Sequence, residues 1–277
     1  MKTRPQVLEP QATQAPTSKP QLSIIVPCYN EKENIPLILQ RFKEVIGTLD
    51  VELILVNNGS TDNSQQIIDE ELKKPEYAFA KTILVPKNIG YGNGITFGLK
   101  HAQGDLLAYT HADLQCDPQD VLRAYEIISQ EKQPEKYLIK GRRTERKIIP
   151  QLLTTGFQIS AAILFWKNFH EINAQPKVFH RQFLSALSSP PLDFNLDFYV
   201  LYKAKKEKLN IVSIPVHFPD RRYGQSKWAF SHLSKLKTIH KFLKYQALLR
   251  FRGEEYTAVK NRQWMQQEVG DLNNETI

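Results

Sequence analysis

The sequence predicts an α/β fold, with a mostly parallel sheet and helices on both faces. Three observations carry this. From Gln21 onward, short apolar runs rich in β-branched residues alternate with segments of helical periodicity. Polar, turn-forming segments at residues 28–31, 57–62 and 111–117 follow three of those runs, as loops at the carboxyl ends of parallel strands do. With 277 residues, 41% of them apolar, 14 Phe and 11 Tyr, the chain can bury a substantial core.

The elements follow in order. Residues 22–26 form a first strand that ends at Pro27, and residues 33–46 a helix whose buried side is Ile35, Ile38, Leu39, Phe42, Val45 and Ile46. A second strand at 53–56 runs into the turn Asn57-Asn58-Gly59-Ser60, followed by a helix at about 63–72 and a third strand at 82–85. The glycine-rich turn 90–94 leads into a helix up to Ala102, and 106–109 is a fourth strand. Further on, 148–169 is apolar and aromatic, 196–206 is helical and 211–216 is a strand. Residues 229–250 predict an amphipathic helix with Ala229, Leu233, Leu236, His240, Leu243 and Ala247 on its apolar stripe. The organisation expected is a disordered lead at 1–20, rich in Pro, Gln, Thr and Ala, a domain at 21–228, and a basic amphipathic helix and tail at 229–277.

The formal net charge of +8 points to an anionic partner: nucleic acid, a membrane surface or a phosphorylated small molecule. Nine Lys or Arg and no acid lie between Arg221 and Arg252. No nucleic-acid-binding motif accompanies them, whereas an apolar stripe and Trp228 do, which favours an anionic membrane surface over nucleic acid. The longest apolar run, 161–166, is far below the ~20 residues that span a bilayer. The first residues contain no apolar leader segment. With only Cys28 and Cys116, and no CxxC, a reducing compartment is expected and a zinc knuckle has no support. Together these place the protein peripherally on the cytoplasmic face of a membrane.

The segment with the most chemistry is residues 110–118. Asp113 and Gln115, two apart just beyond a strand, point the same way in extended geometry and could share a hard cation, Mg²⁺ or Mn²⁺, through oxygen ligands. Locally, the same residues also read as a turn, with Asp117–Pro118 capping the next helix. Gly90-x-Gly92-x-Gly94 has the wrong spacing, and follows the wrong strand, for a dinucleotide fingerprint. His101, His170, His180 and His240 have no partners at ligand spacing and read as packing or surface residues. Asp193 and Asp197, four apart, read as a helix cap and a polar face rather than a pair of general bases.

Seven segments in order, SIIVPCYNEKENI, LILVNNGSTDNS, NIGYGNGITFGLKHAQGD, HADLQCDP, KGRR, NAQPKVF and DRRYGQSKW, resemble family 2 glycosyltransferases of the GT-A fold. The resemblance is strongest to the dolichol-phosphate-mannose-synthase-like and polyprenyl-phosphate glycosyltransferase branch. It implies inverting transfer of a hexose from a GDP- or UDP-sugar donor to a polyprenyl or dolichyl phosphate acceptor, assisted by a divalent cation. It implies that Pro27, Tyr29 and Glu31 contact the base and ribose, with Asn58 at the family's Asp-rich turn. His111, Ala112, Asp113 and Gln115 are implied to hold metal and diphosphate. Arg143, Lys177, Arg221, Ser226 and Lys227 are implied to bind phosphate, with Asp113, Arg221 and Lys227 the catalytic set. Two departures stand out: the family's Asp-Asp-Gly-Ser is Asn57-Asn58-Gly59-Ser60 here, and the first Asp of its Asp-x-Asp is His111. Imidazole ligates Mn²⁺ more readily than Mg²⁺. Two other readings stay open: a sugar-hydroxyl acceptor, with Asp197 as base, and a catalytically silent nucleotide-sugar-binding or scaffold protein.

Overall fold

The computed structural model describes residues 19–144, 148–219 and 232–274. Seven strands form one sheet: β1 (Leu22–Cys28), β2 (Val51–Asn58), β3 (Ala80–Val85), β4 (Leu106–Tyr109), β5 (Tyr137–Arg143), β6 (Lys177–His180) and β7 (Asn210–Val216), in the order β3-β2-β1-β4-β6-β5-β7. All neighbours are parallel except β6, which runs antiparallel to both β4 and β5. The helices are α1 (Ile35–Ile46), α2 (Ser64–Glu71), α3 (Tyr91–His101), α4 (Pro118–Ser129), α5 (Ile148–Phe165), α6 (Leu196–Lys206) and α7 (His232–Asn274).

The central strands are covered on both faces, as parallel sheets require. Successive side chains of β1 go opposite ways: Ile24 and Val26 join a core with Ile38 and Phe42 of α1 and Val121 of α4, while Ile25 joins one with Ile95 of α3, Phe169, and Phe198 of α6. β1 extends past the expected end, because Pro27 keeps its register opposite Val56. β5 and β6 were not expected as strands.

The C-terminal helix differs from expectation in two ways. It continues to Asn274 across a break at Gly253, where φ is 80° and ψ 177°. Among its described side chains Phe242, Tyr245, Gln246 and Leu249 are buried, whereas His240 and Leu243 of the expected stripe are exposed; Ala229 and the side chains of Leu233 and Leu236 lie outside the described residues. The physical reason is an aromatic cluster: Phe242 packs on Phe198 at 6.0 Å between ring centres, which turns that face of α7 toward the protein. No helix among the described residues is long and apolar enough to cross a membrane.

One glycine ties the strands together. A Cβ on Gly141 of β5 would sit 2.0 Å from the carbonyl oxygen of Gln175, and the Gly141 amide donates to Pro176 O at 2.9 Å. The two nearest atoms both belong to the Gln175 backbone, which cannot swing away as a side-chain tip could, and Val216 Cγ2 follows at 3.2 Å. Gly141→Ala is expected to cost about 3 kcal/mol, as overpacking does. Urea denaturation should show a lower midpoint at unchanged slope, and an unchanged midpoint would refute the close approach.

Candidate active site at the carboxyl edge of the sheet

The loops after β1 and β2 are laced together. Asn30 donates its backbone N–H to Ser60 Oγ at 3.0 Å and accepts Thr61 N–H on Oδ1 at 2.8 Å, and Glu31 N–H donates to Ser64 Oγ at 2.9 Å. Glu31 Oε2 accepts from Asn34 Nδ2 at 2.6 Å. Pro27, Tyr29 and Glu31 are thereby held half-buried at one edge. Asn57 closes its own turn, accepting Ser60 N–H at 2.9 Å. Asn58 is buried, and its Nδ2 donates to Gly90 O at 3.0 Å. Through this bond Asn58 braces the backbone leading into α3. The glycines there serve packing: a Cβ on Gly92 would meet Pro191 O at 2.3 Å.

Beyond β4 come His111, Ala112, Asp113 and Gln115. Ala112 and Asp113 are buried, and Asp113 Oδ1 accepts Gln115 N–H at 3.2 Å. Gln115 Nε2 donates to Pro219 O at 2.8 Å. Asp117 is structural, as expected: it caps α4 by accepting Gln119 N–H at 2.9 Å, and both its oxygens take the Arg41 guanidinium at 3.1 Å.

Because β6 is antiparallel, its first residue reaches the same edge: Lys177 pairs with Tyr109, the last residue of β4, and with Lys140 of β5. The Lys177 ammonium is fully buried and donates to Asp197 Oδ1 at 2.5 Å. The same oxygen accepts the Tyr109 hydroxyl at 3.0 Å and Gln175 Nε2 at 2.9 Å. Gln175 Nε2 also reaches the Tyr91 hydroxyl at 3.0 Å, and the Tyr91 ring stacks on Phe194 at 5.0 Å and lies 5.6 Å from His111. This corrects two expectations. Asp197 is no polar helix face but a buried countercharge, and Lys177 is engaged by it rather than open to a phosphate. Asp193 does not cap α6, whose N-cap is Asn195; it accepts that residue's N–H at 3.0 Å, closing the turn before the helix. Tyr91, Tyr109, Gln175 and Phe194 were not singled out from the sequence. The one signal available was Gln175, inside a motif read for its lysine.

Electrostatically the edge is rich in cations. Burial, reinforced by Lys177, lowers Lys140 to about 7. Its ammonium donates to the carbonyls of Gly141 and Glu171 at 3.0 and 3.3 Å. Arg143 lies 3.7 Å from Glu171 and stacks over Phe218 at 4.7 Å. Burial keeps the His111 imidazole below its usual value, against the pull of Asp113 and Asp197, so its neutral, ligand-competent form is favoured. Burial also raises Tyr91 and Tyr109 well above theirs, which keeps both hydroxyls as donors. Among the described residues no group of three or more His, Cys, Asp or Glu could hold a metal by itself. Asp113, neutral His111 and the Gln115 amide do suit a cation that arrives with a diphosphate, which brings the remaining oxygens. Arg221, Ser226 and Lys227 lie outside the described residues.

Two outcomes are expected of the buried charges. Lys177→Met should destabilise by about 3–5 kcal/mol, because it strands Asp197 in the core, while Lys177→Met with Asp197→Leu recovers most of that. A double variant no better than the single one would refute the pairing. Lys140, depressed in the folded state to about 7 from 10.5, binds fewer protons than in the unfolded chain between those values. Stability should therefore rise with pH over that window, and Lys140→Met should flatten the rise. Equal slopes for the two proteins would exclude Lys140 as its source.

The sequence profile described as "Glycosyl transferase family 2" matches residues 23–181. The undecaprenyl-phosphate 4-deoxy-4-formamido-L-arabinose transferase of Enterobacter sp. (strain 638) is 26% identical over 227 residues, covering 78% of this chain and 64% of that protein. The chain thus spans less than two thirds of that relative's length. Among solved structures, glucosyl-3-phosphoglycerate synthase from Mycobacterium tuberculosis with Mn²⁺, UDP-glucose and phosphoglyceric acid superposes with a TM-score of 0.65 at 17% identity, covering 83% of this chain and 79% of that one. The same enzyme with Mg²⁺ and UDP gives 0.60 at 16% identity, with coverage of 83% and 79%. These likenesses establish the fold as the expected GT-A architecture, and with the profile spanning more than half of its residues the chain belongs to glycosyl transferase family 2.

Proposed function

We propose that the protein transfers a hexose from a GDP- or UDP-sugar to a polyprenyl or dolichyl phosphate, with inversion and with a divalent cation, at the cytoplasmic face of a membrane. One observation carries the choice of acceptor. A sugar hydroxyl needs a base to take its proton, and the carboxylate considered for that task, Asp197, already accepts three hydrogen bonds on one oxygen, including that from Lys177. A lipid phosphate is ionised and needs none. The relative from Enterobacter, named for undecaprenyl phosphate, and the neighbour bound to Mn²⁺ and UDP-glucose support the same acceptor and donor classes.

In this reading Pro27, Tyr29 and Glu31 bind the base and ribose, while Asn58 positions the Gly90 backbone for them. Asp113 is the principal metal ligand, with His111 and the Gln115 amide beside it and Ala112 against the diphosphate. The cation, when bound, supplies charge neutralisation on the leaving diphosphate. Arg143 binds phosphate directly. Lys177 adds field from within the core, and Arg221, Ser226 and Lys227 meet the phosphates from the segment after Pro219. The acceptor phosphate oxygen attacks the anomeric carbon. The bond from that carbon to the diphosphate breaks with its electron pair passing to the diphosphate, so the carbon inverts and no proton need move. The cationic residues then act mainly on charge that develops in the transition state.

Product analysis with GDP- and UDP-hexoses, with Mg²⁺ or Mn²⁺, and with polyprenyl phosphate against an oligosaccharide acceptor should give glycosylated lipid phosphate only. Asp113→Ala should retain the fold and lose about 100-fold or more in metal-dependent transfer. It should also lose the metal-dependent rise in melting temperature that a bound donor confers. Product on the oligosaccharide alone would overturn the acceptor assignment. Unchanged metal dependence in Asp113→Ala would remove that residue from the mechanism. If no nucleotide sugar raises the melting temperature of the parent protein, the donor assignment fails.

A further inference from the structure

We infer that the membrane-contacting surface lies on α5, with Trp166 as its anchor, and not on the C-terminal helix where the sequence pattern points. The inference rests on the lipid-phosphate reading above and locates its membrane partner. Ile159, Ile163 and Trp166 are 54%, 69% and 88% exposed. Ile159 and Ile163, four apart, share one face of the helix, and Trp166 follows directly at its C-terminal end, its N–H donating to Ala162 O at 2.9 Å. The opposite side of α5 is packed: Ala161 is buried, Ser160 Oγ donates to Gln246 of α7 at 2.7 Å, and Phe165 lies 5.4 Å from Phe198. Among the described residues, the exposed stripe is thus an unpartnered face at the C-terminal end of a helix whose other face is packed. Phe251, 73% exposed, extends it, since the preceding residue, Arg250, donates to Leu164 O at 2.8 Å at the end of α5.

Trp166 supplies a second, independent observation. Its φ is 53°, in the left-handed region that bulky side chains avoid. Glycine or asparagine would end α5 there without strain. The chain thus holds a large aromatic ring in solvent in a strained conformation, the kind of outlier that points to a role.

Charge selects the occupant. Lys167, Arg250 and Arg252 are exposed around the stripe, and Lys241 and Lys244 are exposed on α7, which packs against α5. The nearby Glu254 is already bound by Lys203 and Lys206, each at 2.8 Å. An apolar stripe with a tryptophan and a cationic rim matches an anionic lipid surface: the rings and aliphatic chains enter the interface while the cations meet headgroup phosphates. A second copy of the chain would bring the same basic rim against itself.

The full chain should co-sediment with phosphatidylglycerol-rich vesicles and not with pure phosphatidylcholine, and binding should weaken as salt rises. Ile159→Ser/Ile163→Ser/Trp166→Ser should reduce vesicle affinity at least about tenfold, by loss of buried apolar surface. Trp166→Gly is the sharper test. It should weaken vesicle binding severalfold yet raise the melting temperature by about 2 °C, since it relieves the backbone. Both variants should keep parental transfer to a short-chain polyprenyl phosphate in detergent micelles. Undiminished vesicle binding by the triple variant overturns the inference, as does absence of binding by the parent, or a parental dimer in light scattering that the triple variant dissociates. Loss of micellar transfer in the parent, with vesicle binding intact, would instead count against the lipid-phosphate reading alone.

Discussion

Two opposite charges removed from water, Lys177 and Asp197, organise the site edge of this protein. Neither could sit in the core alone, because an unpaired buried ion costs several kcal/mol. Lys177 opens the single antiparallel strand, so its position depends on β6 being inserted between β4 and β5. Asp197 lies in the first turn of α6, so the pair fixes that helix against the sheet. Through Gln175 and Tyr91 the same carboxylate reaches α3, and through the Tyr91 ring it borders His111. Elements far apart in sequence are thus held in one arrangement, and the residues proposed to meet the diphosphate stand on that frame.

This frame was largely invisible in the sequence. The strands from β1 to β4 and helices α1, α2, α3 and α6 were legible because each follows from a local pattern, either an apolar run or helical periodicity. β6 has only four residues and begins with a lysine, and β5 carries Lys140, Gly141, Arg142 and Arg143. Both look too polar for interior strands. A buried ion pair twenty positions apart leaves no periodic trace, and Asp197 in a helical first turn looks like any favourable end-charge. On α7 the described part of the stripe departs, at His240 and Leu243, for a different reason. Periodicity finds that one side is apolar but not which of two overlapping sides the core will take, and the aromatic cluster around Phe198 drew in Phe242 and Tyr245 instead.

The motifs behaved unevenly for a related reason. Asp117 was read correctly as a cap because capping is decided by its immediate neighbours. Asn58 was assigned toward a ligand because that is how its turn is used in the family, but its direction depends on where the backbone of Gly90 lies. Side chains whose partners are local can be placed from sequence, whereas those whose partners come from another element cannot.

The two departures from the family pattern share one physical logic. Each replaces a carboxylate by a neutral group where another negative charge would be poorly placed. An aspartate at position 111 would join Asp113 and Asp197, whose influence His111 already feels, and like charges so close in a region of low dielectric raise one another's cost. At position 58 the neighbours are Gly90 O at 3.0 Å and Asn88 Oδ1 at 3.5 Å, both acceptors, so an amide can donate where a carboxylate could only repel. The cations of this edge already have their carboxylates, Lys177 in Asp197 and Arg143 in Glu171, so neutrality at 111 and 58 leaves those pairings undisturbed.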